Sequence, residues 1–528
     1  MTPHGFNKEL SDSLDLDRAT PDLRPRSCHR INYSPLEALP NTSIIFVFCD
    51  ELLSALLRSI HSVLNRSPPQ LLHEIILVND GSKALNISAL RANINRLPTK
   101  ITLLQHTTQR GLVQARLTGA RAASGDTITV LDSHIEVQDG WLEPLMYRIM
   151  QDRHNVVVPH IRSIDASTFA FRGGGIGLCG VLMSMVEHSI DLQQHDAEQR
   201  VHLDSDPQPS PVMAGGLFSF DREFFFELGG YDEDMGFWGA ENIEISFRIW
   251  MCGGRLELIP CSNVFHIFRA GGRPYKVPWT DIVKNKQRVI DLWLGANQED
   301  APYHKIANRF VQSSLSVEQR GSLDKMMKLR DRLQCKSFRW FLDNVYPENY
   351  FSLFLGAQAT GSLRHISTST CLAGLPPGFA RLASVAAASS ETEESKHGQN
   401  HCRKRGEFML TTEGQLRDSV NNDICLMVDS SRSGPAQIRS SVCAWADHSE
   451  RWYWDFLQNP NDSAQGQLRH RESKQCMEVI LGSAGPLLVL STCDTYAPQD
   501  PHSQWANQLW VFGDMEASVT EGAKNLMV

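Results

Sequence analysis

From Thr42 onward, short runs of apolar residues alternate with stretches in which apolar residues recur every three or four positions. Residues 44–48 are unbroken apolar and predict a buried strand. Residues 51–65 place Leu53, Leu56, Leu57, Ile60 and Leu64 on one face of a predicted helix. A second strand is predicted at 74–78, closing on Asn79-Asp80-Gly81-Ser82, a turn that can also start a helix. A third strand at 101–105, a helix at 112–124 and a fourth strand at 127–131 follow, the last running straight into Asp132. This alternation predicts an α/β unit: a mostly parallel sheet with helices on both faces and ligands at the carboxyl ends of its strands.

After about residue 350 the texture changes. Residues 361–400 are rich in Ala, Ser and Gly, and short β-like segments follow in which Cys, Gln and Trp recur. Gly361-Ser-Leu-Arg364 with Cys371 is echoed by Gly414-Gln-Leu-Arg417 with Cys425, and by Gly466-Gln-Leu-Arg469 with Cys476. Repetition at an interval of about fifty residues marks a multi-copy β unit that buries a shared core. It places a linker at 347–360.

Length and composition add bounds. A chain of 528 residues exceeds one ordinary domain, and 41% hydrophobic with 21% charged residues is a common globular balance. A net charge of -9 gives no reason to expect nucleic acid or an anionic membrane as partner. No run approaches the ~20 apolar residues that span a bilayer. Residues 1–26 are polar and lack a signal-peptide core. Read by itself, that N-terminus suits the cytosol. The twelve cysteines, with sequons at Asn41, Asn65, Asn86 and Asn461, suit an oxidising secretory compartment, so a membrane anchor outside this sequence is expected.

The candidate chemistry begins at Asp132-Ser133-His134. In an extended chain, residues two apart face the same side, so Asp132 and His134 can grip one ion while Ser133 faces elsewhere. Carboxylate with imidazole suits Mn²⁺, which leaves positions for diphosphate oxygens and water. A lone Asp-x-His is more often a capped turn or a surface pair; its place at the end of a buried strand favours the metal.

Longer motifs follow in order: Gly140-Trp-Leu-Glu-Pro-Leu145, Met213-Ala-Gly-Gly-Leu-Phe-Ser219, Phe237-Trp-Gly-Ala-Glu-Asn242 and Glu244-Ile-Ser-Phe-Arg-Ile-Trp250. Cys252-Gly-Gly, Ile259-Pro-Cys261, His266-Ile-Phe-Arg269 and Cys335-Lys-Ser-Phe complete the series. Together they resemble the polypeptide N-acetylgalactosaminyltransferases, from about Cys28 to Glu348 and more loosely beyond. The resemblance implies a GT-A (Rossmann-like) glycosyltransferase domain at 28–346, preceded by a polar segment at 1–27. An all-β ricin-type β-trefoil lectin domain at 361–515 and a tail at 516–528 would follow.

The same resemblance implies Mn²⁺ as cofactor, UDP-GalNAc as donor and Ser/Thr-containing polypeptide as acceptor, in a retaining transfer within the Golgi lumen by a type II membrane protein. It adds His266 as third metal ligand beside Asp132 and His134. It assigns donor binding to Asp80, Gln109, Ser133, Trp238, Arg269 and Tyr275, and places Glu241 and Arg269 at the reaction centre. Simpler structural readings stand beside these: a capping Asp80, a core Trp238, and a Glu241 that stabilises the next helix.

Departures fall in the donor and acceptor cradle. The family's Phe-His-Asn-Glu-Ala reads Phe48-Cys49-Asp50-Glu51-Leu52, and the first acid of Val-Asp-Asp is Asn79. Gln109 and Gln114 stand where the family has arginines, one of which contacts nucleotide. Residues 173–186 have lost the family's aromatics, and the stretch after Tyr275 lacks its Pro-Gly-Gly. An inactive relative that binds glycopeptide or a partner is the alternative reading. In the repeats, Cys371-Leu-Ala, Cys425-Leu-Met and Cys476-Met-Glu lack the family's sugar-binding Asp, although Asp429 is nearby. Glycopeptide binding there is expected to be weak. Only Gln508-Leu-Trp510 keeps a clean Gln-x-Trp. By the family's pattern Cys28 pairs with Cys261, Cys252 with Cys335, Cys425 with Cys443 and Cys476 with Cys493. Cys371–Cys402 is a further candidate, and Cys49 and Cys179 remain as thiols.

Overall fold

The computed structural model describes residues 4–190, 204–271, 276–295, 297–347, 349–368, 370–372, 378–379, 382–384, 408–419, 424–429, 437–443, 452–459, 462–482, 485–494 and 505–513. The chain forms two compact units, Met1–Pro347 and Glu348–Val528.

In the first unit, α1 (Lys8–Ser13) precedes β1 (Thr42–Phe48), α2 (Leu53–Arg66), β2 (Leu72–Asp80), α3 (Ile87–Ile94) and β3 (Ile101–His106). Then come α4 (Leu112–Ala122), β4 (Thr127–Asp132), β5 (Ile135–Val137), α5 (Glu143–Gln151), β6 (Asn155–Ile164) and β7 (Phe171–Ile176). The hairpin strands β8 (Cys179–Val181) and β9 (Glu187–Ser189) lead to β10 (Gln208–Pro209), β11 (Phe218–Asp221), α6 (Arg222–Glu227), α7 (Glu241–Met251), β12 (Arg255–Ile267) and α8 (Trp279–Val289).

The main sheet runs β10-β12-β6-β11-β4-β1-β2-β3. The four strands expected from the sequence form its parallel half, β3-β2-β1-β4. Beyond them β11 enters antiparallel to both β4 and β6, which makes the whole sheet mixed. Alternation explains why the predicted runs became strands: Ile44, Phe46 and Phe48 enter one core with Ile75, Leu77 and Leu131, covered by Leu56, Ile60 and Val63 of α2. Two serines of the same helix hold β5, Ser59 Oγ accepting from the Ile135 N–H (2.9 Å) and Ser62 Oγ from that of Val137 (3.2 Å).

The helix expected from residue 51 begins instead at Leu53. Asp50 adopts a left-handed φ of 48° and accepts the backbone N–H groups of Lys83 and Ala84 at 2.7 and 2.6 Å. Glu51 is thereby turned out of the helix.

The polar N-terminal segment is not a free tail. Phe6 is 1% exposed and packs with Phe169, Phe265 and Ile267, while Arg18 makes a two-pronged contact with Glu136 at 2.8 Å for each prong. Disulfides join Cys28 to Cys261 and Cys252 to Cys335 as expected, and Cys49 and Cys179 are free.

In the second unit, the region expected as linker holds a helix, Tyr350–Gly356, with Phe351 and Phe354 buried. The three sequence echoes form hairpins in one register: Arg364 lies opposite Cys371, Arg417 opposite Cys425 and Arg469 opposite Cys476. The residue after each arginine repeats the pattern, with His365 opposite Trp510, Asp418 opposite Phe408 and His470 opposite Trp454. Phe408, Trp454 and Trp510 are fully buried with Leu363, Leu416 and Leu468.

The indoles of Trp454 and Trp510 also bond alike, donating to the carbonyls of Leu426 (3.2 Å) and Met477 (3.1 Å). Each acceptor follows a repeat cysteine. The aromatic position that sequence located only at Trp510 therefore exists in all three copies. This all-antiparallel unit is the expected ricin-type β-trefoil, stapled by Cys425–Cys443 and Cys476–Cys493. Cys402 and the tail at 516–528 lie outside the described residues.

Replacing Phe408, Trp454 or Trp510 by Ala is expected to cost about 3–5 kcal/mol each, as for large aromatics in a packed core. Denaturant unfolding of the full chain measures this, and a loss under about 1 kcal/mol at any one of them would break the three-fold equivalence.

Candidate active site

The carboxyl ends of β1, β2 and β4 open onto a cavity of about 690 Å³. Asp132 ends β4, and His134 lies just beyond it. β12 runs antiparallel to β5 with His266 opposite Ile135, and the Ile267 N–H bonds to the His134 carbonyl at 3.1 Å. The three side chains converge so that one ligand atom from each lies within 4.8 Å of the others. His266 Nε2 is 3.2 Å from Asp132 Oδ2, and the two imidazole rings are 4.7 Å apart.

The cluster fits a divalent ion. His266 Nδ1 is buried without a hydrogen-bond partner. His134 has Nδ1 engaged by Glu51, which orients its other nitrogen as a carboxylate orients a metal-binding histidine. A Cβ at Gly216 would meet Asp132 Oδ2 at 2.5 Å, so a glycine backbone keeps that oxygen clear. One carboxylate and two imidazoles are a donor set for Mn²⁺.

Glu51, which the sequence had placed in a helix, organises this cluster. It is 4% exposed, and its Oε2 accepts from Ser133 Oγ (2.9 Å), faces His134 Nδ1 (2.9 Å) and accepts from Arg269 Nη2 (2.7 Å). Burial pushes the carboxyl up, but the electrostatic pull of the His134 and Arg269 donors, with hydrogen bonds from His134 and the Leu52 N–H, outweighs it and holds Glu51 at about 2. Burial likewise opposes ionisation of Asp132, yet the His266 hydrogen bond and the neighbouring cations keep it below its ordinary value. Burial, then the Arg269 charge, lowers His134 and favours the neutral ring that a metal requires.

Arg116 links the other side. It is 2% exposed, 3.9 Å from Asp132 and 3.6 Å from Glu241, and it bonds to the Tyr231 hydroxyl at 3.3 Å. Glu241 opens α7 and accepts the Gly239 N–H at 2.8 Å.

Asp80, at the end of β2, accepts the N–H groups of Arg110 and Gly111 at 2.8 Å each and faces His106 Nδ1 at 2.7 Å. Its carboxylate thus fastens the loop that carries Gln109. Gly81 and Gly111 have φ of 72° and 93°, and a Cβ on either would collide with backbone at 2.3 and 2.6 Å. Three loops therefore meet backbone to backbone.

Of the donor-binding expectations, Asp80, Gln109, Ser133, Trp238 and Arg269 all line the cavity, as does Glu241. Tyr275 lies outside the described residues. Ser133 spends its hydroxyl on Glu51. Gln114, at the other lost-arginine position, donates to the Glu233 carbonyl at 2.9 Å. Cys49 lines the wall; burial, then the Asp50 and Asp80 charges, pushes its thiol up to about 12.

Glu51, Arg116 and His106 were not singled out from sequence. The available signal was an acid at a strand–helix junction and a lone arginine within the apolar face of α4.

This first unit is a GT-A glycosyltransferase domain. The glycosyl transferase family 2 model matches residues 43–228, and the N-terminal domain of galactosyltransferase model matches 203–270. Probable N-acetylgalactosaminyltransferase 9 of Caenorhabditis elegans is 35% identical over 511 residues, covering 95% of this chain and 81% of that protein. Polypeptide N-acetylgalactosaminyltransferase 13 of Rattus norvegicus is 35% identical over 90% of this chain and 80% of its own length. The human polypeptide N-acetylgalactosaminyltransferase 10 is 40% identical over 70% of this chain, which spans 60% of that relative. The crystal structure of GalNAc-T7 with UDP, GalNAc and Mn²⁺ superposes with a TM-score of 0.64 at 28% identity, covering 97% of this chain and 88% of that one. The chain belongs to the polypeptide N-acetylgalactosaminyltransferase family.

Gly216→Ala is expected to leave the fold intact and weaken Mn²⁺ binding by about tenfold or more, because the new methyl displaces the Asp132 carboxylate. Calorimetric Mn²⁺ titration reads this; unchanged affinity would show that the carboxylate has room to move.

Proposed function

We propose that this chain transfers N-acetylgalactosamine from UDP-GalNAc to Ser and Thr hydroxyls of polypeptides, with retention of anomeric configuration and dependence on Mn²⁺. The observation that carries the reading is the convergence of Asp132, His134 and His266 on the cavity that also holds Glu241 and Arg269. Family membership and the GalNAc-T7 complex with UDP, GalNAc and Mn²⁺ support it.

In this reading Asp132, His134 and His266 hold the ion, which when bound supplies Lewis-acid stabilisation of the diphosphate. Arg269 neutralises charge gathering on the departing UDP, and Glu51 fixes its guanidinium for that purpose. Asp80, Gln109, Ser133, Trp238 and Tyr275 form the donor cradle. Glu241 sits at the reaction centre, its charge balanced by Arg116.

Four disulfides among the described residues and the family relationship support a Golgi-lumenal setting. No helix among the described residues is long and apolar enough to cross a membrane. Glycopeptide binding through the second unit belongs to the proposal as a weak interaction. Glu478, at the third repeat's aspartate position, is buried with its carboxylate against Ser491 and Gln508.

The test is transfer of GalNAc from UDP-GalNAc to a panel of mucin-like peptides, with Mn²⁺ or chelator. Expected is Mn²⁺-dependent transfer that disappears in Asp132→Ala. Well-folded protein that transfers nothing and binds no UDP would instead establish an inactive relative, with Cys49, Gln109 and Gln114 as the disabling changes.

A further inference from the structure

Arg269 is gripped from two directions, and only one belongs to the metal cluster. Nη2 donates to Glu51 at 2.7 Å, while Nη1 donates to the backbone carbonyl of His4, 265 positions away in sequence. The guanidinium carbon also lies over the Phe6 ring, 5.2 Å from its centroid. One residue on, the Ala270 N–H donates to the Gly5 carbonyl at 2.8 Å.

The N-terminal side of this contact is itself anchored. Phe6 is 1% exposed, edge-on to Phe169 with ring centroids 6.0 Å apart. The Asn7 N–H donates to the Ala166 carbonyl at 2.8 Å, and Asn7 Nδ2 donates to the Ser167 backbone carbonyl at 3.2 Å. Gly5 has a φ of 74°, the left-handed conformation that lets successive carbonyls reach Arg269 and Ala270. Downstream, Arg269 and Gly271 line the cavity, as does Trp279 at the start of α8.

We infer that residues His4–Phe6 are a positioning element of the active site. They hold the Arg269 guanidinium toward the place of the donor diphosphate and pin the chain where it leaves β12. A fixed guanidinium loses little freedom when an anion arrives, and an aromatic face opposite the cavity orients its donors. An N-terminal segment that composition marks only as polar thus sets donor affinity. The kinetic consequence rests on the UDP-GalNAc reading; the clamp itself does not.

The test compares Phe6→Leu, which keeps an apolar side chain in the cluster and removes the ring from under Arg269, with Phe169→Leu. The latter removes a ring from the same cluster without touching Arg269. UDP affinity with Mn²⁺ is measured by calorimetry and thermal stability by calorimetric scanning. Exchange of the Ala270 amide is read by deuterium uptake in full-length protein without ligand. Expected for Phe6→Leu is a UDP Kd raised about three- to thirtyfold, with faster exchange at Ala270. Phe169→Leu should lower the melting temperature as much and leave Kd and exchange unchanged. Equal effects of the two on Kd and exchange, or no effect of Phe6→Leu on either, would overturn the inference. Wild-type protein that binds no UDP would count against the proposed function, and the exchange comparison alone would then decide the clamp.

Discussion

A carboxylate withdrawn from water needs donors on every side, and the first unit is arranged around one such group. Glu51 is 4% exposed and takes Ser133, His134 and Arg269 on one oxygen and the Leu52 N–H (2.9 Å) on the other. These partners come from the start of α2, the end of β4 and the chain beyond β12. Removing any of them leaves a buried charge under-compensated, a costly state. The requirement reaches back into the fold. Asp50 takes a left-handed turn so that Glu51 leaves the helix, and the Asp50 carboxylate collects the N–H groups of the next loop. Asp132, Arg116 and Glu241 continue the alternation of charges across the cavity floor.

Much of this was legible in sequence because periodicity and burial agreed. The strands expected at 44–48, 74–78, 101–105 and 127–131 formed the parallel half of the sheet, and Asp132 stood where a strand end meets a ligand cavity. The convergence of His266 required β12 to lie against β5, a long-range pairing that no local pattern encodes. Glu51 was hidden for a different reason. A glutamate before an apolar helical face satisfies helix periodicity and helix-dipole preference alike. Its real environment depends on side chains 82 to 218 residues away. The aromatic repeat of the second unit was masked by substitution: Phe408 and Trp454 fill their places without the Gln-x-Trp signature, and only strand register exposes them.

The departures in the cradle separate into two kinds. Gln109 stays at the cavity wall, where an amide can still bond to a nucleotide edge but carries no charge. Gln114 is turned to the Glu233 carbonyl and does not line the cavity. Cys49 replaces an imidazole by a thiol that stays neutral. Losing a charge-assisted contact weakens affinity by roughly ten- to hundredfold. The side chains of Asp132, His134 and His266 still converge, with Glu51, Arg116 and Arg269 around them.

That account is tested most directly by Mn²⁺-dependent UDP binding to Glu51→Gln, an isosteric change that removes the organising charge. The account predicts a folded protein in which His134 and Arg269 lose their shared anchor. Mn²⁺ affinity should fall about ten- to hundredfold, and UDP affinity with it. A folded variant that binds both as tightly as wild type would contradict it and reduce Glu51 to a packing residue.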